Sequence, residues 1–260
     1  MTKTSSVFYF DRQVLLKKAE TLHQQYVSAE PFPHIVMDDF LPEEVADAVL
    51  DEFPGLADIT WSEYIHQHSK KLATDDESQM GEVTRHMIAQ FNSSDFLFFL
   101  EKLTGIGGLI PDPYLWGGGL HQIPKGGYLN VHADFNYYKR LRLDRRLNLL
   151  LYLNKNWKEE YGGHVQLWSR DMKRCVVKAL PVFNRAVVFS TSDYSYHGLP
   201  EPLSCPDGWS RKSLALYYYT NGRPEEERSG AHNTLYRKVP WQKQGSIKPC
   251  QRSIIRHISF

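Results

Sequence analysis

A histidine and an aspartate lie two residues apart in the segment GGYLNVHADFN, which runs from Gly126 to Asn136. The letters GYLNVH are typical of a strand, and side chains two positions apart in a strand point to the same face. His132 and Asp134 can therefore offer an imidazole nitrogen and a carboxylate oxygen to one metal ion. Because the chain has 11 histidines, such a pair also arises readily by chance, and a metal site requires a third ligand.

A third candidate ligand is His197 in the segment SDYSYHGLP. It lies between an apolar strand from Ala186 to Ser190 and another from Ser213 to Thr220, so it can face His132 across a closed sheet. Two imidazoles and one carboxylate on one side of a metal leave positions open for substrate and oxygen, as in non-haem Fe(II) oxygenases. A structural zinc site would instead close all four positions. The three residues together predict an open, catalytic metal centre.

Arg211 begins the strand in the segment WSRKSLALYYY. A cation that points into an apolar barrel needs an anionic partner, since removing the partner of a buried charge costs about 3–5 kcal/mol. A dicarboxylate cosubstrate could chelate the metal at one end and pair with the guanidinium at the other. The alternatives are an exposed cation or a structural pair with an acid such as Asp207.

The order HxD, then His, then Arg at the head of a strand resembles the 2-oxoglutarate and Fe(II)-dependent dioxygenases, and among them the prolyl 4-hydroxylase branch. Five segments stand in that branch's order from about Pro111 to Asn221: LNLLLYLNKNW, YGGHVQLW, PVFNRAVVF, HGLP and SRKSLALYYYT. Two features depart from the branch. The interval between His197 and Arg211 contains the insertion LPEPLSCPDGWS, and an arginine stands where lysine is common at the cosubstrate position.

The resemblance implies that His132, Asp134 and His197 bind Fe(II), and that Arg211 binds the distal carboxylate of 2-oxoglutarate. It also implies an oxidoreductase that uses molecular oxygen to convert 2-oxoglutarate to succinate and CO2 while it hydroxylates an unactivated C–H bond. A prolyl or other amino-acyl carbon, in a small molecule or a peptide, is the first substrate expected, with ascorbate as a candidate reductant.

Two further cofactor-binding candidates lie on the strand LNLLLYL. Tyr152 matches a tyrosine that in some relatives also bonds the distal carboxylate, although an aromatic residue here could simply fill the core. Asn148 shares the face of Tyr152 and is predicted to line the same site.

Two other functions remain open at this stage, because a fold and a metal site do not determine a substrate. A metal-dependent cupin-type enzyme, such as an isomerase, would share the barrel and the two histidines but would not need Arg211. A non-catalytic jelly-roll binding module, for example for a glycan, would use the aromatic residues as its platform.

The elements that must position these residues follow Pro113, where short runs rich in leucine, valine and tyrosine are separated by turn residues. This pattern is typical of an antiparallel sandwich or barrel. The runs are YLWGGGLHQI, GYLNVH, LNLLLYL, GHVQLW, AVVFS and SLALYYYT. The fold class expected is mostly β with flanking helices (α+β), with a double-stranded β-helix, or jelly roll, as its core.

Apolar spacing and capping residues predict helices from Asp11 to Glu30, from Leu41 to Phe53 and from Ser94 to Leu103. The polar interval 61–92 between the last two predicts a long surface loop or lid. His66 and His68 form an HxH pair in that interval. With no clear third ligand, they are interpreted as solvated rather than metal-binding.

These elements predict a helical support and lid region (1–110), a catalytic core (111–222) and a basic C-terminal tail (223–260), all within one structural domain. The tail has no acidic residue after Ser229. A solvated flank is favoured over a binding surface for an acidic partner.

Composition excludes several partner classes. A formal net charge of +1 provides no global field for attracting nucleic acid or an anionic membrane. No stretch approaches the roughly 20 apolar residues of a membrane span, and the N-terminus lacks the apolar region of a signal peptide. The three cysteines, Cys175, Cys205 and Cys250, are odd in number and lack the CxxC spacing of a zinc site. Cysteines that are neither paired nor metal-bound favour a reducing compartment. We therefore expect a soluble, cytoplasmic protein.

Overall fold

The computed structural model of the chain describes residues 8–243. Its α-helices are α1 (Arg12–Val27), α2 (Glu43–Asp51), α3 (Glu82–Phe91) and α4 (Ser94–Thr104). Its strands are β1 (His34–Met37), β2 (Ser62–His66), β3 (Ser69–Thr74), β4 (Ile110–Pro111), β5 (Gly119–Pro124), β6 (Tyr128–Ala133), β7 (Tyr137–Tyr138), β8 (Leu143–Tyr152), β9 (Val165–Trp168), β10 (Cys175–Ala179), β11 (Arg185–Ser190), β12 (His197–Leu199), β13 (Ser210–Thr220) and β14 (Leu235–Tyr236). Short 3-10 helices lie at Glu77–Gln79, Glu159–Tyr161, Glu225–Glu227 and Pro240–Lys243.

The three predicted helices are confirmed as α1, α2 and α4, and local capping explains two of their boundaries. Asp11 precedes α1, and its side chain accepts a hydrogen bond from the backbone N–H of Val14. Ser93 caps α4 in the same way. Gly105 ends α4 with a φ of 75°, a left-handed conformation that costs glycine little.

The interval 61–92 is not the long surface loop predicted from its composition. It contains the hairpin β2–β3, a 3-10 turn and helix α3. Helix α3 buries Met87, Ile88 and Phe91 against the core. The polar composition concealed the hairpin because β2 is exposed along its whole length, so its residues carry no alternating apolar pattern.

All 14 strands belong to one antiparallel sheet, whose main order is β1-β11-β8-β13-β5-β3-β6-β12-β9-β10. This sheet curls into a nearly closed, barrel-like form, which confirms the predicted class of a mostly β protein with a jelly-roll core. Each of the six apolar runs contains a strand. The sheet also reaches beyond 111–222, because β1 pairs with β11, β3 lies between β5 and β6, and β14 pairs with β6.

The main hydrophobic core lies between the four helices and one face of this sheet. On β8, Leu147, Leu149 and Leu151 point into that core, and each is fully buried. Burying a leucine side chain stabilises a fold by about 1.5–3 kcal/mol. Alternation then turns Asn148 and Tyr152 to the opposite face, toward the interior of the barrel. Within residues 8–243, no helix has the length and hydrophobicity needed to cross a membrane.

Candidate metal centre and cosubstrate site

His132 and His197 lie directly opposite each other on the paired strands β6 and β12, with ring centroids 4.5 Å apart. Asp134 follows the end of β6. Its Oδ1 lies 3.6 Å from His132 Nε2, and its Oδ2 lies 3.5 Å from His197 Nε2. Candidate ligand atoms of the three residues all lie within 4.8 Å of one another. The structure thus brings together the three residues that the sequence singled out as metal ligands.

Backbone hydrogen bonds fix the orientation of both imidazole rings. His132 Nδ1 donates to the carbonyl of Asn130 at 2.8 Å, and His197 Nδ1 donates to the carbonyl of Ser195 at 2.9 Å. Since a carbonyl only accepts, the proton of each neutral ring is on Nδ1 and the lone pair is on Nε2. Burial lowers the pKa of His197 to about 4, against the opposing effect of Asp134. The ring of His197 is therefore neutral at physiological pH and able to bind a metal.

This donor set fits a divalent metal ion. Bonds of about 2.0–2.2 Å to nitrogen and oxygen ligands place neighbouring donor atoms roughly 3–4 Å apart, close to the spacing between Asp134 and the two rings. Among residues 8–241, these three side chains form the one group of three or more histidine, cysteine or acidic residues with such spacing. Two imidazoles and one carboxylate suit Fe(II) and leave coordination positions open.

Two N–H donors contact the same oxygen of Asp134, Oδ2, and favour the ionised form of this carboxyl group. Arg145 Nη2 lies 3.1 Å from this oxygen, and Asn148 Nδ2 donates to it at 2.7 Å. Burial opposes ionisation of Asp134, but the Arg145 guanidinium, the two histidines and their contacts hold the pKa of the carboxyl well below its usual range. Oδ1 remains directed toward His132.

Sequence analysis missed Arg145, which is 1% exposed. Its guanidinium carbon lies 3.5 Å from the ring centroid of Tyr217, and its Nε donates to Asn148 Oδ1 at 3.0 Å. Regular alternation would place Arg145 and Asn148 on opposite faces of β8. A β-bulge at Arg146 shifts the register between β8 and β13 by one residue, which turns Arg145 toward the barrel interior. No pattern in the sequence marks this bulge.

Arg211 lies on β13 and is 4% exposed. Its Nε donates to the carbonyl of Gly163 at 2.8 Å, and its Nη2 donates to the hydroxyl of Tyr152 at 3.0 Å. Asp207, the alternative partner, instead pairs with Lys125 at 3.0 Å. Among the described residues, no carboxylate lies within salt-bridge distance of Arg211. A buried guanidinium without an anion is suited to an anionic ligand.

The two other predicted cofactor-binding residues lie in different parts of the site. Tyr152 contacts Arg211, the residue that the family resemblance assigns to the distal carboxylate of 2-oxoglutarate. Asn148 lines the cavity, but its amide is engaged by Asp134 and Arg145. The structure therefore places Asn148 beside the metal ligands rather than beside Arg211.

One cavity of about 200 Å³ contacts the three candidate ligands and Arg211. The hairpin β2–β3 contributes His66 and Lys71 to its lining, and β14 contributes Tyr236. His68 stacks on Tyr236 with ring centroids 4.1 Å apart and does not line this cavity. Neither His66 nor His68 joins a three-residue ligand group among the described residues.

The start of the basic tail is part of the site rather than a solvated flank. Strand β14 pairs with β6, and Tyr236 lies opposite His132. The remainder of the tail, after residue 243, lies outside the described residues.

Comparisons with known proteins agree with this geometry. Residues 118–254, more than half of the chain, match the family described as the 2OG-Fe(II) oxygenase superfamily. Prolyl 3-hydroxylase OGFOD1 of Mus musculus is 25% identical over 194 residues, which cover 73% of this chain and 33% of that protein. The chain thus spans about a third of the length of this curated relative.

Solved structures share the fold. A prolyl-4-hydroxylase from Pseudomonas putida superimposes with a TM-score of 0.55 at 18% sequence identity. The match covers 78% of this chain and 100% of the other. A prolyl hydroxylase from Trichoplax adhaerens, in complex with a hypoxia inducible factor oxygen degradation domain peptide fragment, gives a TM-score of 0.54 at 20% identity. That match covers 80% of this chain and 91% of the other. The chain belongs to the 2OG-Fe(II) oxygenase superfamily, and its similarities lie in the prolyl 4-hydroxylase-like branch.

Proposed function

We propose that this protein is an Fe(II)- and 2-oxoglutarate-dependent hydroxylase. The observation that carries the proposal is the convergence, in one cavity, of a metal-ligand triad with a buried arginine that has no carboxylate partner among the described residues. His132, Asp134 and His197 would hold Fe(II), and Arg211 with Tyr152 would hold the distal carboxylate of 2-oxoglutarate. Bound Fe(II) supplies the activation of dioxygen that is coupled to decarboxylation of 2-oxoglutarate.

The overall reaction consumes one C–H bond of the substrate, one 2-oxoglutarate and one O2. One oxygen atom enters the substrate as a hydroxyl group and the other enters succinate, and CO2 leaves. The chain contributes orientation and charge. Arg145 keeps Asp134 ionised, the carbonyls of Asn130 and Ser195 fix both imidazole tautomers, and apolar side chains form part of the cavity wall.

The names of the similar proteins support a prolyl carbon as the first substrate to test. We propose other amino-acyl carbons as the next candidates and ascorbate as the reductant. The family match favours an oxygenase over a cupin-type isomerase or a glycan-binding module, and neither of those alternatives would form succinate. We propose a cytoplasmic location, in which free thiols such as Cys175 and Cys205 stay reduced.

The test begins with the purified chain under anaerobic conditions. Addition of Fe(II) and 2-oxoglutarate should produce a metal-to-ligand charge-transfer band. Exposure to O2 with a panel of prolyl peptides and free amino acids should then yield succinate and a product heavier by one oxygen atom. Asp134→Ala should abolish both signals.

His23→Ala is a matched control, because His23 contacts the carbonyl of Leu103 at the α1–α4 interface and not the cavity. This variant should retain the band and the turnover of the wild type. Absence of the band in folded wild-type protein would contradict the proposal.

A further inference from the structure

Lys71 belongs neither to the metal-ligand triad nor to the Arg211–Tyr152 pair proposed to bind the cosubstrate. It lies on β3, the strand inserted between β5 and β6. Ser69 and Lys71 are two positions apart on this strand, and both side chains line the cavity, whereas the neighbouring Lys70 is exposed and does not line it. The hairpin thus directs one of its two consecutive lysines toward the metal centre.

Among residues 8–241, no carboxylate lies within salt-bridge distance of the Lys71 ammonium. Its Nζ lies 5.0 Å from the centroid of the Tyr64 ring. Burial lowers the pKa of Lys71 to about 8, with Asp134 opposing the effect and Arg145 and Arg211 adding to it. Lys71 therefore remains protonated at neutral pH.

The charges around the cavity do not balance without a further anion. Among the described residues, its lining includes three cationic side chains, Lys71, Arg145 and Arg211, and one acidic side chain, Asp134. Asp134 is paired with Arg145. In the proposed complex, one carboxylate of 2-oxoglutarate would pair with Arg211, and the other would offset part of the charge of the divalent metal. The site then keeps a net positive charge, and Lys71 is the cationic side chain of the lining to which no carboxylate is assigned. A half-buried cation of this kind favours an anionic ligand.

We infer that the substrate carries a carboxylate that binds Lys71 while the target carbon lies at the metal centre. This inference rests on the proposed hydroxylase function and deepens it by naming the charge of the substrate. The carboxylate can come from an acidic side chain beside the target residue in a peptide or from the α-carboxylate of a free amino acid. Both sources present the same group to the ammonium.

The test measures binding to the complete complex without turnover. The chain is loaded with 2-oxoglutarate and Mn(II) in place of Fe(II), and matched probes are titrated by calorimetry under anaerobic conditions. The peptide acetyl-Pro-Glu with an amidated C-terminus is compared with acetyl-Pro-Gln, also with an amidated C-terminus, to probe an acidic side chain. N-acetylproline is compared with N-acetylproline amide to probe an α-carboxylate.

For at least one pair, the wild type should bind the acidic probe about ten-fold or more tightly than its neutral partner, as expected for a charged hydrogen bond. Lys71→Met should reduce that ratio to about one while it changes the 2-oxoglutarate Kd by less than about two-fold. Lys71→Arg, which keeps the charge, and Lys70→Met, which removes a lysine from outside the cavity, should both preserve the preference.

A preference for the acidic probe that persists in Lys71→Met would overturn the inference, and so would either of two further results. The first is equal behaviour of acidic and neutral probes with the wild type in both pairs, including no detectable binding of either. The second is a loss of about ten-fold or more in 2-oxoglutarate affinity in Lys71→Met, which would make Lys71 a cosubstrate residue. Either result leaves the proposed hydroxylase intact if the charge-transfer band forms, whereas failure of the wild type to bind 2-oxoglutarate would reject the hydroxylase itself.

Discussion

Replacement of Arg211 by methionine tests the cosubstrate site, because methionine keeps an unbranched side chain and removes the charge. Two of the five N–H donors of the guanidinium are used by Gly163 and Tyr152, so enough remain for a bidentate pair with a carboxylate. Truncating one partner of a buried charge pair costs about 2–5 kcal/mol. At 1.4 kcal/mol per factor of ten, Arg211→Met should raise the Kd for 2-oxoglutarate by about thirty-fold to several thousand-fold.

The assay is anaerobic titration of the Fe(II)-loaded protein with 2-oxoglutarate, followed by the charge-transfer band. Tyr152→Phe removes one hydroxyl group and should weaken binding by about ten-fold to a hundred-fold, the effect of a single hydrogen bond to a charged group. Affinity for Fe(II) should stay at the wild-type value in both variants, since neither side chain belongs to the ligand triad. Wild-type 2-oxoglutarate affinity in folded Arg211→Met protein would refute the assignment.

Three other substitutions test the metal centre and the core. Asp134→Ala should reduce Fe(II) affinity in equilibrium dialysis by about 100-fold or more, and wild-type affinity would exclude Asp134 as a ligand. In Gly198→Ala, the new Cβ would lie 2.8 Å from the carbonyl oxygen of Leu129 and 2.9 Å from Val131 Cα. This contact should force β12 away from β6 and weaken Fe(II) binding by about 10–100-fold, and unchanged binding would show that the strands tolerate the shift. Leu149→Ala should lower the free energy of unfolding in urea by about 2–5 kcal/mol, and a loss below about 1 kcal/mol would contradict the tight packing of the helix-facing core.

The features that could be predicted from the sequence are those that depend on residues close together in the chain. His132 and Asp134 are close in the chain, and the strand before them determines which way their side chains point. Asp11 and Ser93 cap their own helices, so the starts of α1 and α4 could be predicted from neighbouring residues. Such features depend on contacts within a few positions of each other and need no knowledge of the rest of the fold.

Features set by long-range pairing could not be predicted in this way. The position of Lys71 in the cavity depends on insertion of β3 between β5 and β6, strands that follow it much later in the chain. The orientation of Arg145 depends on a bulge that exists only in the register between β8 and β13. Both residues are charged and stand in polar sequence, so neither carries the apolar signal that marks a buried position.

A crystal structure of the chain grown anaerobically with Mn(II) and 2-oxoglutarate would test the central claim most directly. We expect an anomalous manganese peak within bonding distance of His132 Nε2, His197 Nε2 and a carboxylate oxygen of Asp134. The distal carboxylate of 2-oxoglutarate should contact the guanidinium of Arg211. A metal bound at other side chains, or 2-oxoglutarate bound away from Arg211, would contradict the assignment of this cavity as the active site.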